Sequence, residues 1–161
     1  MYITCVGSRK TPTEILDIMT KLGYKFYKKG YIIRSGGAVG ADSAFVKNVP
    51  KEFQEIYYAQ DSTNEVEEIA GKYHRNWKNL NSYIKKLHGR NVFQVLGKDL
   101  TKPSIALVCW TPDGCISHNT RSIRTGGTGT AISIADQETN NYTKIYNLKN
   151  KNTFKSFLRY K

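Results

Sequence analysis

Apolar positions in the chain fall into five short β-branched or aromatic runs, separated by stretches with helical spacing. Strands are predicted over 2–6, 31–33, 55–59, 105–110 and 144–148. The first holds no charged residue inside it, as expected of a central strand covered on both faces. Between the first two strands, Ile15, Leu16, Ile18, Met19 and Leu22 recur at helical spacing through residue 29. Thr11 is the candidate cap, Pro12 the early helix residue, Gly23 a position that ends or loosens the helix, and Gly30 the stop. Further helices are expected over 41–49, stopped by Pro50, over 65–72 and over 130–138. Leu80, Tyr83, Ile84 and Leu87 form a stripe that reads as core packing, and 90–96 as another helix ended by Gly97. Strand and helix alternate throughout. That is the pattern of a single α/β domain over 1–148, a Rossmann-like parallel sheet of five or more strands with helices on both faces. A basic tail, 149–161, follows it.

Two stretches repeat one local plan. Ser35-Gly36-Gly37-Ala38-Val39-Gly40-Ala41-Asp42 follows a strand and opens a helix, and Thr125-Gly126-Gly127-Thr128-Gly129-Thr130-Ala131 opens another. Strand, glycine turn and helix suit a phosphate, because glycine allows close backbone approach and a helix start presents unpaired N–H groups. The spacing Gly36-Gly37-x-x-Gly40 matches neither the P-loop nor the dinucleotide fingerprint. In an open parallel sheet, ligands bind outside the carboxyl ends of the strands, where strand order reverses. Gly7-Ser8-Arg9, the 35–42 loop, the segment from Trp110 to Asp113 and the 126–130 loop all follow strands, so all four are expected on that edge. Gly37 and Gly127 are expected to contact one phosphate, with Arg9 adding a charge-assisted bidentate contact. Asp42 is either a first-turn helix residue or a ribose ligand and acid/base group.

Composition narrows the partners. Lys and Arg number 25 against 13 Asp and Glu, giving +12, which favours polyanionic partners or anionic ligands, the alternative being a solvated basic surface that aids solubility. The charge is scattered over 21–29, 72–102 and 144–161. No apolar run approaches the ~20 residues of a membrane span, so no membrane partner is expected. The chain enters its first strand without a basic leader or cleavage site, and Cys5, Cys109 and Cys115 are odd in number, so a reducing cytoplasm is expected. Cys109, Cys115 and His118 do not form a zinc pattern, and no metal is expected. Residues 111–125 are polar and rich in breakers, too long for a plain connection, and a candidate functional loop.

Val6-Gly7-Ser8-Arg9, the 35–42 loop and Gly126-Gly127-Thr128-Gly129-Thr130-Ala131 together resemble the SLOG superfamily, which includes the DNA-processing protein DprA (Smf) and the LOG-type nucleotide phosphoribohydrolases. Arg90-Asn-Val-Phe-Gln-Val-Leu-Gly97 and Ala106-Leu-Val-Cys-Trp-Thr-Pro-Asp113 are similar to segments of the small stand-alone DprA-like proteins often encoded by bacteriophages. The resemblance implies a nucleotide or other phosphate-containing ligand held by Gly7, Ser8, Arg9, Ser35, Gly36, Gly37, Gly40, Asp42, Trp110, Gly126, Gly127, Thr128, Gly129, Thr130 and Ser133. It also implies a homodimer or higher homo-oligomer and, for a phage protein, the bacterial host cytoplasm. LOG-type hydrolases use Pro-Gly-Gly-x-Gly-Thr-x-x-Glu, and the glutamate position is Ser133 here, the proline position Thr125. A serine, expected to face solvent, carries no charge to stabilise an oxocarbenium-like centre. Binding without catalysis is therefore the first expectation. The alternatives are DprA-like binding of single-stranded DNA, nucleoside 5′-monophosphate N-glycosidase activity with Asp42 as the candidate catalytic group, and sequestration of a host nucleotide signal.

Overall fold

The structure is a computed structural model that describes residues 1–153 and 155. Its strands are β1 (Tyr2–Cys5), β2 (Ile32–Ser35), β3 (Gln54–Ile56), β4 (Ala106–Cys109) and β5 (Lys144–Asn147). They form one all-parallel sheet in the order β3-β2-β1-β4-β5. The helices are α1 (Thr13–Lys28), α2 (Ala41–Val46), α3 (Asn64–Gly71), α4 (Ser82–Leu96) and α5 (Thr128–Gln137). Among the described residues no helix is long and apolar enough to cross a membrane.

The order of strands explains the layers. The chain winds outward from β1 through β2 to β3, then returns past β1 to β4 and continues to β5. Parallel crossovers keep one hand, so a reversal of direction moves the connecting helices to the other face. One face carries α1 and α2 over Ile3, Cys5, Ile33, Val108 and Trp110. The other carries α3, α4 and α5 over Val6, Leu107 and Cys109. Side chains of β1 and β4 alternate between these two cores, as the two-residue period of a strand requires.

Boundaries shift from the sequence expectation where tertiary contacts decide. The two helices expected around 80–96 are one continuous α4, capped by the Asn81 side chain, which accepts from the Ile84 N–H at 2.9 Å. Thr11 does not cap α1; Pro12 holds the N-cap position. Helix α5 starts at Thr128, two residues early, so half of the second glycine loop is helical. Of the 149–161 tail, residues 149–153 and 155 are described, with 151–153 helical, and 154 and 156–161 lie outside the described residues.

Gly23 neither ends nor loosens α1. It sits mid-helix at the crossing with α2, where a Cβ would lie 1.7 Å from the Phe45 carbonyl oxygen. Alanine there gains up to about 1 kcal/mol of helix propensity. The backbone clash opposes that gain, and overpacking of this kind costs on the order of 1–3 kcal/mol or more. Gly23→Ala is therefore expected to lower the urea midpoint with an unchanged m-value. A variant as stable as the parent would show that α1 and α2 do not approach so closely.

Candidate functional site

Three adjoining cavities run along the carboxyl edge of the sheet, and α4 contributes to all of them. The central one, about 410 Å³, lies at the reversal between β1 and β4. Gly7, Ser8 and Arg9 line it from β1, Ala38, Val39 and Asp42 from the first glycine loop, and Gly127 and Thr128 from the second. Leu87, His88, Arg90, Asn91 and Gln94 close it from α4. A second cavity, about 940 Å³, holds Gly36, Gly37, Gly40, Tyr58 and Tyr83 and shares Arg9, Leu87 and Arg90 with the first. A third, about 650 Å³, holds Gly126 and Lys72, Arg75, His118 and Arg121, and shares His88 and Gly127 with the centre.

Local chemistry sets the first loop. Gly37 and Gly40 have φ of +67° and +101°, a region that penalises side chains, so the turn requires glycine at both. Gly36 is constrained by space instead: a Cβ would meet the Gln94 Nε2 at 2.6 Å and the Arg90 guanidinium carbon at 2.7 Å. The Arg90 Nη1 donates to the Gly36 carbonyl at 2.5 Å and to the Tyr57 carbonyl at 3.3 Å. Asp42 is buried beneath the loop and accepts from the Ala38 N–H at 3.2 Å. Burial raises its pKa, opposed by that N–H and by the nearby Arg90 charge. Asp42 thus holds the loop from below, as well as facing the central cavity.

Several expected residues sit elsewhere. Gly37 and Gly127 share none of these three cavities; the turn at Gly37 sets it beside Ile56 and Tyr58. The first loop reaches the centre through Ala38 and Val39. Ser35 is buried and donates to the Cys5 carbonyl at 2.7 Å, a strand-to-strand tie. Trp110 packs in the core over α1 and α2 and offers only its carbonyl to the edge, accepting from the Ser8 N–H at 3.1 Å. Gly129 lies under Arg121, where a Cβ would approach Nε at 2.5 Å. Thr130 is buried, its hydroxyl 2.8 Å from the His88 Nδ1.

Ser133 is fully buried and does not face solvent. Residues 111–125 fold back over α5, and the Ser133 hydroxyl meets the His118 Nδ1 at 2.8 Å and accepts from the Arg121 Nη1 at 2.9 Å. Arg121 also donates to the Tyr73 carbonyl, tying this loop to the end of α3. The loop is anchored at its start as well: the buried Asn147 amide donates to the Thr111 hydroxyl at 2.7 Å and to the Cys115 carbonyl at 2.9 Å.

Sequence reasoning missed α4. Leu87, Arg90, Asn91 and Gln94 recur at helical spacing, a mixed polar stripe visible only if 82–96 is one helix. Gln94 matters most. It is 1% exposed, and neither its Nε2 nor its Oε1 has a hydrogen-bond partner; with the Arg90 Nε these are the unpartnered buried side-chain atoms among the described residues. A buried amide left unsatisfied is unusual in a native fold and is a mark of a site. Tyr58 and Tyr83, exposed beside the neighbouring cavity, also went unread as ligand-facing.

Asp113 fixes the 111–125 loop. Burial alone would raise its carboxyl, but hydroxyls of Thr125, Ser122 and Thr111 and the Cys115 N–H donate to it and hold its pKa at about 2. A depressed folded pKa contributes stability that is full above the unfolded value of about 4 and lost as pH falls toward 2. Thermal stability should therefore decline over that window, and Asp113→Asn should flatten the decline while lowering stability at pH 7. A carbon-13 titration of Asp113 with a midpoint near 4 would contradict this network.

No protein-family model matches the chain, nor does any curated protein or solved structure, and the site is read from its own geometry.

Proposed function

We propose that the chain binds a nucleotide or nucleotide-derived ligand in the central cavity without cleaving it. The observation that carries this reading is the meeting of both glycine loops and Arg9 in one cavity at the reversal of strand order. Backbone amides of the loops and the Arg9 guanidinium form an anion cradle of the kind a phosphate takes. The unpartnered Gln94 amide offers both a donor and an acceptor, which suits ribose hydroxyls or a base edge. Tyr58 and Tyr83 in the adjoining cavity supply aromatic faces for a base.

The same geometry argues against glycosidase chemistry. Among the described residues Asp42 is the one carboxylate lining the central cavity, and it is buried and already accepts from the Ala38 N–H. Ser133 turns to His118 and Arg121, so a positive neighbourhood stands where a glycosidase needs negative charge.

Two variants test the binding reading by calorimetry with nucleoside 5′-monophosphates. Arg9→Ala should weaken binding about tenfold or more, since a charge-assisted hydrogen bond contributes roughly 1.5–3 kcal/mol. Gln94→Met should do the same while leaving the melting temperature unchanged or raised, because it removes an unsatisfied buried amide. A Gln94→Met protein that binds as well as the parent removes the amide from the site. Release of free base within minutes by the parent, abolished in Asp42→Asn, would establish the glycosidase instead. Binding confined to oligonucleotides, weakening with salt at a slope of about −0.7 per neutralised phosphate, would favour the single-stranded DNA reading.

A further inference from the structure

The third cavity has no role in holding a single phosphate at the glycine loops, yet its chemistry is one-sided. Lys72, Arg75 and Arg121 bring formal positive charge to it, and His74, His88 and His118 add three imidazoles. Among the described residues no carboxylate lines it. Glu138, outside the lining, lies 3.7 Å from Lys72 and accepts from the Tyr73 hydroxyl at 2.5 Å, and Asp136 accepts the His118 backbone N–H. Arg121 is half-buried and donates to the Tyr73 carbonyl and the Ser133 hydroxyl, both neutral. A guanidinium withdrawn from water is ordinarily compensated by an anion. Burial, with the neighbouring His74, Arg121 and Arg90, lowers the pKa of His88 to about 4, and burial with the Arg121 charge lowers that of His74. His88 is thus neutral at pH 7, and Lys72, Arg75 and Arg121 bring fixed positive charge to the cavity.

The cavity is continuous with the site. His88 and Gly127 line both the central and the third cavity, so a molecule seated at the glycine loops can extend past them without leaving the groove. We infer that the Arg75–Arg121 cavity is a second anion subsite, which takes a second phosphoryl group of the ligand bound at the glycine loops. This rests on the nucleotide reading above and narrows it to ligands with two separated phosphates. The second phosphate can sit on the same nucleoside or on a second nucleotide, and the chemistry of recognition is the same.

The test uses the full chain and base-independent as well as nucleotide probes. Arg75 is exposed, so Arg75→Ala is the informative variant, with Lys72→Ala as its companion. Calorimetry at one salt concentration compares adenosine 5′-monophosphate, adenosine 3′,5′-bisphosphate and the 5′-phosphorylated dinucleotide pApA. At least one two-phosphate ligand should bind tenfold or more tighter than the monophosphate. Arg75→Ala should remove that advantage and leave the monophosphate unchanged. A gain for the bisphosphate places both phosphates on one nucleoside, and a gain for pApA alone places the second on the next nucleotide. Inorganic pyrophosphate should shift the imidazole resonances of His74, His88 and His118 in the parent and not in the variant. Equal affinities for all three nucleotides, with unmoved imidazoles, overturn the subsite and leave the glycine-loop reading intact. Equal weakening of all three by Arg75→Ala also overturns it, since diffuse charge would then explain the effect. Imidazole shifts with pyrophosphate but no nucleotide binding would sink the nucleotide reading and keep the cavity as an anion site in its own right.

Discussion

The close packing of α4 on the first glycine loop, through Arg90, holds the site together. Its guanidinium spans the Gly36 and Tyr57 carbonyls, the exits of β2 and β3, so one side chain joins two strand ends to a helix. The contact requires a bare Gly36 backbone and a bare Gly89, where a Cβ would fall 2.2 Å from the Ser62 hydroxyl. With α4 drawn in this far, Gln94 is sealed from solvent and Leu87, His88 and Asn91 become the wall of the groove. A guanidinium half withdrawn from water tolerates this because two carbonyls and the Asp42 field lie beside it. Loop conformation, cavity shape and the orphaned amide thus share a single cause.

Much of the fold was legible because parallel sheets announce themselves. Each strand appeared as a short apolar run, and glycines marked the carboxyl edge where β1 and β2 end. What resisted reading was decided between elements. Gly23 looks like a helix breaker in isolation, yet its role is to admit the Phe45 carbonyl. Trp110 follows a strand like the other edge residues, but strand alternation turns its ring to the core. Ser133 occupies the expected place in the motif, and only the return of residues 111–125 over α5 makes it buried. The polar stripe of α4 was hidden by a helix boundary drawn in the wrong place.

Charge shows the same division. Lysines and arginines are scattered in sequence, which reads as a solvated surface, but the fold gathers Lys72 and Arg75 from the end of α3 beside Arg121 from a loop almost fifty positions later. The gathering depends on the 111–125 loop, and that loop depends on Asp113 and Asn147 accepting and donating at its base. Electrostatics at the groove is therefore built on buried hydrogen bonds far from any cation.

The strand order also governs how the chain matures during synthesis. β1 is the middle of the sheet, but one of its two neighbours, β4, emerges from the ribosome long after it; the tie between the Thr4 and Ser104 hydroxyls spans 100 positions. Until then the nascent chain can pair β1 with β2 and β2 with β3, while the other margin of β1 stays open, an apolar unpaired edge able to recruit foreign strands. Thr4 tempers that exposure with a hydroxyl that later joins the Gln94 carbonyl and Ser104. Closure of the margin and completion of the central cavity come together, only after the second half of the chain has docked.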